Sequence, residues 1–63
     1  MTGQEYREIR DELDLTQLQL ANALGIYPST VARREKSDEI DSEAEMAIRS
    51  LVGAKETAQP GAG

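Results

Sequence analysis

The amino-acid sequence predicts an all-α fold, a compact domain of four to five helices. Apolar residues recur at helical spacing in three separate segments. Hydroxyl residues that suit helix starts precede these segments, and glycine and proline punctuate the connections. The stripes consist of Tyr6, Ile9 and Leu13; Leu20, Ala21 and Leu24; and Ala44, Ala47, Ile48 and Leu51. We place one helical domain at residues 1–53 and expect residues 54–63, which are small, polar and rich in glycine and proline, to form a disordered tail.

The stretch 16–36 is predicted to form a helix, a tight turn and a second helix. Thr16 is a good N-cap, and Gln19 three residues later completes a capping-box pattern. Gly25 suits a helix C-terminus because glycine adopts the left-handed conformation cheaply. Pro28 fits the first position of the next helix, where its missing N–H costs nothing.

The second helix of this stretch, 28–36, has two unlike faces. Val31, Arg34 and Glu35 share one side, whereas the other side is small and basic and carries Ser29, Ala32, Arg33 and Lys36. A face without bulky apolar residues fits a groove of about 12 Å, the width of the DNA major groove. This spacing resembles the helix-turn-helix of the lambda-repressor-like (Cro/Xre) DNA-binding family. The matching residues are Gln17, Leu20, Ala21, Leu24, Gly25, Ile26, Thr30, Val31 and Glu35.

The resemblance implies a double-stranded DNA partner and a set of contact residues. Positions facing base edges would be Pro28, Ser29, Ala32 and Arg33, with Arg33 the best candidate for a bidentate contact to guanine. Positions near the DNA backbone would be Thr16, Gln17, Tyr27, Thr30, Arg34 and Lys36. Two of these have an alternative without DNA contact: Gln17 as a solvated capping residue and Tyr27 as a partly buried turn aromatic.

The resemblance also implies a partly buried ion pair between Arg10 and Glu35, linking the first helix to the end of the third. Its alternative is two unrelated surface charges. Two positions depart from the family pattern. Arg34 stands where the family usually has a large apolar residue, and we expect its head to reach Asp38, Asp41 or the DNA backbone. Ser37 stands where the family favours glycine.

The C-terminal part is predicted to hold one more helix. An acidic loop, 37–41, leads into it, and Ser42 with Glu45 forms another capping-box pattern. Gly53 is expected to end the helix. Met46 and Val52 lie partly outside the apolar stripe and are candidates for contact with a second copy of the chain.

The net charge of −5 is the main objection to DNA binding, because the phosphate backbone rewards cations. Its distribution answers the objection in part. Residues 16–36 carry a net charge of +2, whereas residues 1–15 carry −3 and residues 37–63 carry −4. A single basic segment on an acidic chain is typical of a specific regulator and unsuited to a protein that coats DNA.

Composition excludes several other functions. The absence of cysteine and histidine removes disulfides, thiolate chemistry and histidine-based catalysis, and the carboxylates have no metal-type spacing. We therefore expect no enzyme activity, no catalytic residues, no metal and no cofactor. There is no signal peptide and no apolar run near 18 residues, which predicts a cytoplasmic protein without a membrane span.

Two functions remain. The first is a transcriptional regulator of bacterial or phage origin, a repressor or autorepressor that binds an inverted-repeat operator as a homodimer. The second is an antitoxin-like or other protein-binding module whose acidic surface binds a protein partner.

Overall fold

The computed structural model describes residues 1–57 and shows four helices. They are α1, Gly3–Glu12; α2, Gln17–Leu24; α3, Pro28–Glu35; and α4, Ser42–Thr57. No strand occurs among residues 1–57. The predicted all-α class is confirmed, and the four helices of residues 1–57 agree with the predicted four to five.

The starts of α1 and α2 are formed by reciprocal capping boxes. The Thr2 hydroxyl accepts a hydrogen bond from the Glu5 backbone N–H, and the Glu5 carboxylate accepts one from the Thr2 N–H. Thr16 and Gln19 repeat this arrangement at α2. Each box satisfies two backbone donors that the first helical turn leaves without partners.

The turn between α2 and α3 has the predicted geometry. Gly25 is the C-cap of α2 with φ of 70°, in the left-handed region where a side chain is strained. Its N–H donates to the carbonyls of the last turn, and Ile26 then packs against the core. Pro28 occupies the first turn of α3. Together, Gly25, Ile26 and Pro28 set the angle between α2 and α3.

The core lies where the four helices meet. Helix α2 packs on α3, and α1 packs on both α3 and α4. Truncating one of the large buried aliphatic side chains would cost about 2–5 kcal/mol. The buried apolar residues are Tyr6, Leu20, Ala21, Val31, Ile40, Ala44 and Ile48, and Met1, Ile9, Leu13, Leu15, Leu24, Ile26 and Leu51 pack around them.

The start of α1 lies directly against the end of α3, which the sequence pattern did not indicate. The Gly3 N–H donates to the Ser37 carbonyl at 2.9 Å. A Cβ at position 3 would lie 2.4 Å from the Arg34 carbonyl oxygen and 2.5 Å from that of Ser37. Only glycine allows this approach, which brings the positive end of α1 to the negative end of α3.

Two predicted features of α4 are wrong. Ser42 is the first helical residue rather than the N-cap, because the Glu45 N–H bonds the carbonyl of Asp41 and so begins the helix there. Gly53 does not end the helix, which continues to Thr57. Glycine inside a helix costs only about 1 kcal/mol, and the Lys55 ammonium ties the added turn to α1 through the Glu12 carbonyl at 3.2 Å. The expected disordered tail thus begins inside a helix, and its residues 58–63 lie outside the described residues.

Candidate nucleic-acid interface

The exposed side of α3 carries the residues predicted to face DNA bases. Pro28, Ser29 and Arg33 are exposed, and Ala32 is half-buried. On the opposite side Val31 is fully buried against the core. Burial of Val31 therefore sets the rotation of α3 and turns a small, polar face outward.

Two cations lie along this face. Arg33 and Lys36 are both exposed, and neither takes part in an ion pair among residues 1–57. Their positive charges are thus not neutralised within the described part of the chain. A guanidinium presents a planar fork of N–H donors, whereas an ammonium acts as a point charge. Arg33 suits a base edge, and Lys36 suits a phosphate.

The start of α3 presents an exposed aromatic ring. Tyr27 is the N-cap of α3, makes no side-chain capping hydrogen bond and is 78% exposed. Its alternative assignment as a partly buried turn aromatic is wrong, because the turn directs the ring outward. Thr30, one turn into the helix, is half-buried. The first turn of α3 therefore offers a phenol and a hydroxyl beside the basic face.

The start of α2 lies next to this surface. The Thr16 hydroxyl accepts from the Gln19 N–H at 3.0 Å, which leaves its own O–H to donate elsewhere. A helix N-terminus carries partial positive charge from its unpaired N–H groups. These N–H groups make this end of α2 a candidate site for an anion such as a phosphate.

Gln17 is held by a carboxylate from α3. Its amide Nε2 donates to Glu35 Oε1 at 3.0 Å, and the side chain is half-buried. The alternative assignment of Gln17 as a solvated capping residue is therefore wrong. One amide proton is engaged within the protein, and the second remains as a donor.

Glu35 joins three segments of the chain. The Arg10 guanidinium donates to it from Nε at 2.6 Å and from Nη2 at 3.3 Å, and Arg10 Nη1 donates to the Leu15 carbonyl at 2.8 Å. The two side chains are only 12% and 7% exposed. The structure thus brings Arg10 and Glu35 together as the resemblance implied, and it adds Gln17 and Leu15 to the same network.

The ionisation of Glu35 reflects this network. Burial raises the pKa of its carboxyl, but hydrogen bonds from Arg10 and Gln17 and the Arg10 charge outweigh burial and hold the pKa below its ordinary value. The same hydrogen bond to Glu35 raises the pKa of Arg10. Both groups are therefore charged at neutral pH, and the start of α2 is fastened to the end of α3.

Arg34 does not reach the acids that the sequence suggested. No ion pair joins it to Asp38 or Asp41 among residues 1–57. Its Nη1 donates to the hydroxyl of Tyr6 at 3.3 Å, and its guanidinium carbon lies 6.0 Å from the centre of that ring. Arg34 faces α1 because it shares the buried side of α3 with Val31. Here the arginine takes the place of an apolar residue by packing on the buried Tyr6.

On α2 and α3 the one acidic residue is Glu35, whose side chain is only 7% exposed. Exposed acids occupy the outer side of α1 and the loop between α3 and α4, whereas α2 contains no charged residue. Residues 1–57 contain no cluster of three or more side chains able to hold a metal ion. Within the same range, no helix combines the length and apolar character needed to cross a bilayer.

A capped helix, a glycine turn and a second helix with an exposed basic face define a lambda-repressor-like helix-turn-helix DNA-binding domain. A family model described as Helix-turn-helix, of the Cro/C1 type, matches residues 7–49. Since this match covers more than half of the chain, the protein belongs to that family. The family supports a DNA-binding regulator of the Cro/Xre type. Comparison with curated proteins and with solved structures gave no significant match.

Proposed function

We propose that this protein is a sequence-specific repressor or autorepressor that binds an inverted-repeat operator as a homodimer. The observation that carries the proposal is the exposed face of α3 in a family of DNA-binding regulators. This face holds small side chains and two cations that form no ion pair within residues 1–57. Such a face fits the major groove, where base pairs present distinct patterns of donors and acceptors.

Arg33 is the residue proposed to read a base. Its fork of donors matches the O6 and N7 acceptors of guanine, the most common specific contact in protein–DNA complexes. Ser29 accepts or donates and so discriminates less. Pro28 and Ala32 offer apolar contact, which suits the methyl group of thymine.

The backbone contacts are proposed on both sides of α3. The α2 N-terminus, with Thr16 and the remaining amide proton of Gln17, forms one phosphate site. Tyr27 and Thr30, at the start of α3, and Lys36, at its end, are proposed to contact further phosphates. Arg34 is the weakest member of the predicted set, because one of its donors is already bonded to Tyr6.

A homodimer explains how so small a face gives useful affinity. One recognition helix contacts only a few base pairs, and two half-sites one DNA turn apart, about 34 Å, double the contacts. The acidic surface elsewhere lowers binding to random DNA, since phosphate contacts supply most non-specific affinity. The proposed regulator, of bacterial or phage origin, therefore binds each half-site weakly and gains its selectivity from binding two half-sites together.

Selection from random duplex DNA tests the proposal. The purified full chain is incubated with a random library at about 50 and 200 mM salt, and bound DNA is sequenced over several rounds. We expect an enriched inverted repeat with half-sites one helical turn apart. Enrichment of a lone half-site would contradict the dimer. No enrichment from folded protein would contradict sequence-specific binding and favour a protein partner for the acidic surface.

A further inference from the structure

The outward side of α4 carries a methionine that the core does not use. Met46 is 68% exposed, although methionine is an apolar residue. It lies on the opposite side of the helix from Ala44 and Ile48, which are buried. Because α4 packs on α1, this side belongs neither to the core nor to the proposed DNA surface on α2 and α3.

The residues around Met46 form a pattern that is complementary to itself. Glu43 lies three residues before Met46 and Arg49 three residues after it, so opposite charges flank the methionine at equal distances. Ser42 and Ser50 lie four residues before and after. All five residues are exposed. We call this set, Ser42, Glu43, Met46, Arg49 and Ser50, the Met46 face.

We propose that the Met46 face is the surface through which two copies of the chain associate, with their α4 helices antiparallel about a two-fold axis at Met46. In this arrangement Met46 meets Met46 of the second copy, and Glu43 lies level with its Arg49. The same pairing occurs a second time by symmetry. The serines, at the remaining positions of the face, are short enough for the helices to approach to about 8–10 Å.

The existing contacts of Arg49 are compatible with this arrangement. Its Nε donates to Glu45 of the same helix at 3.1 Å, and its side chain is 64% exposed. A guanidinium has five N–H donors, so it can hold Glu45 and bind a second carboxylate. A parallel arrangement would set Glu43 against Glu43 and Arg49 against Arg49, and the resulting repulsion selects the antiparallel one.

This inference rests on the proposed dimer and names its surface. Contact over about three helical turns buries less than the 1,200–2,000 Å² of a stable protein–protein interface. We therefore expect a weak dimer in solution that becomes fully formed on two adjacent half-sites of DNA.

Charge reversal tests the surface directly. Glu43→Arg sets four arginines around the axis, and Arg49→Glu sets four glutamates there. Each variant should weaken self-association of the full chain by about tenfold or more in sedimentation equilibrium. The matched control is Glu8→Arg, a reversal on the exposed side of α1, which should associate like the wild type.

An equimolar mixture of the two variants should associate again. The arginine introduced at position 43 of one variant then meets the glutamate introduced at position 49 of the other. At the second contact, the unchanged Arg49 of the first variant meets the unchanged Glu43 of the second. Both pairs therefore join opposite charges, as they do in the proposed wild-type dimer.

The outcomes separate the surface from the function. Single variants that associate as tightly as the wild type, or a mixture that stays monomeric, would overturn the Met46 face while leaving a dimeric regulator intact. A wild type that stays monomeric both free and on the selected operator would overturn the homodimer itself. Circular dichroism of each variant establishes that association, rather than folding, has changed.

Discussion

At the scale of single residues, the network centred on Glu35 connects folding to the proposed function. Its carboxylate receives donors from α1, through Arg10, and from the first residue of α2, Gln17. The same donor groups flank the helix end that is proposed to hold a phosphate. A buried ion pair contributes little when intact, but an unpaired buried charge is costly. Glu35 therefore holds its neighbours in place more than it adds stability.

Removing one partner of the ion pair should be much more damaging than removing a surface charge. Arg10→Ala and Glu35→Ala should each lower the free energy of unfolding by about 3–5 kcal/mol, because each leaves the other charge buried and unpaired. Arg7→Ala, which replaces an exposed arginine on the same helix as Arg10, should change it by less than about 0.5 kcal/mol. Urea unfolding measures all three. Equal losses for the three variants would show that the pair is not structurally special.

The lowered pKa of Glu35 predicts how stability depends on acid. A folded-state pKa below the unfolded value means that the folded state favours the charged carboxylate. The resulting stabilisation is fully present above the ordinary glutamate pKa of about 4.3 and is lost as the pH falls below it. Glu35→Gln should therefore be less stable than the wild type at pH 7, and the difference should narrow as the pH falls below about 4.3. Urea unfolding at several pH values checks this, and a constant difference would argue against the assignment.

At the scale of elements, the helix starts and the glycine turn were predictable because their signals are local. Thr16 with Gln19, Gly25 and Pro28 act within four residues of chain, so spacing alone indicates their geometry. The end of α4 was not predictable in this way. Gly53 is a reasonable stop signal, but a tertiary contact from Lys55 to α1 supports the extra turn.

Two other features depend on contacts between distant segments. Gly3 looks like an ordinary lead-in residue, and its importance appears only when the end of α3 lies against it. Arg34 looks like a partner for nearby acids, yet it packs on Tyr6, which is 28 positions away. In the candidate interface, the exposed side of α3 followed from helical periodicity. The amide contact of Gln17 with Glu35 required the packing of α2 on α3.

The close approach at Gly3 predicts a large effect from one methyl group. Gly3→Ala places a Cβ against backbone carbonyls that cannot move aside, and overpacking of this kind costs about 1–3 kcal/mol. Gly53→Ala is the matched control, since a Cβ there meets nothing within 4 Å and alanine is the better helix former by about 1 kcal/mol. Thermal unfolding should show a lower Tm for the first variant and an unchanged or higher Tm for the second. The opposite order would contradict the packing of α1 on α3.

At the scale of the whole molecule, the basic residues proposed to bind DNA and most of the acidic residues lie in different parts of the chain. Residues 16–36 carry +2 on a chain of −5. Two of their cations, Arg33 and Lys36, lie on the exposed face of α3 and form no ion pair within residues 1–57. Exposed acids lie on α1, on the loop between α3 and α4 and on α4, whereas α2 carries no charge. Such an arrangement favours binding through a few well-placed contacts over general attraction to nucleic acid.

The salt dependence of DNA binding measures how many phosphates the protein contacts. With few phosphate contacts, the logarithm of the association constant should fall only gently with the logarithm of salt concentration. Lys36→Ala should weaken binding about equally on all sequences and reduce the slope by about 1 for each subunit. Fluorescence anisotropy between about 50 and 200 mM salt is the measurement. Arg7→Ala removes an equal charge from α1 and should leave the slope unchanged, and a similar reduction for both variants would place the DNA elsewhere.

Base reading by Arg33 on α3 can be measured by replacing both the arginine and the base pair that it is proposed to contact. Affinities of the wild type, Arg33→Ala and Arg7→Ala are compared on the selected operator and on a duplex in which its best-defined G·C pair is replaced by A·T. The wild type should prefer the operator by about 1–3 kcal/mol per replaced contact. Arg33→Ala should lose this preference, and Arg7→Ala should keep it. A preference that survives unchanged in Arg33→Ala would show that another residue reads this base pair.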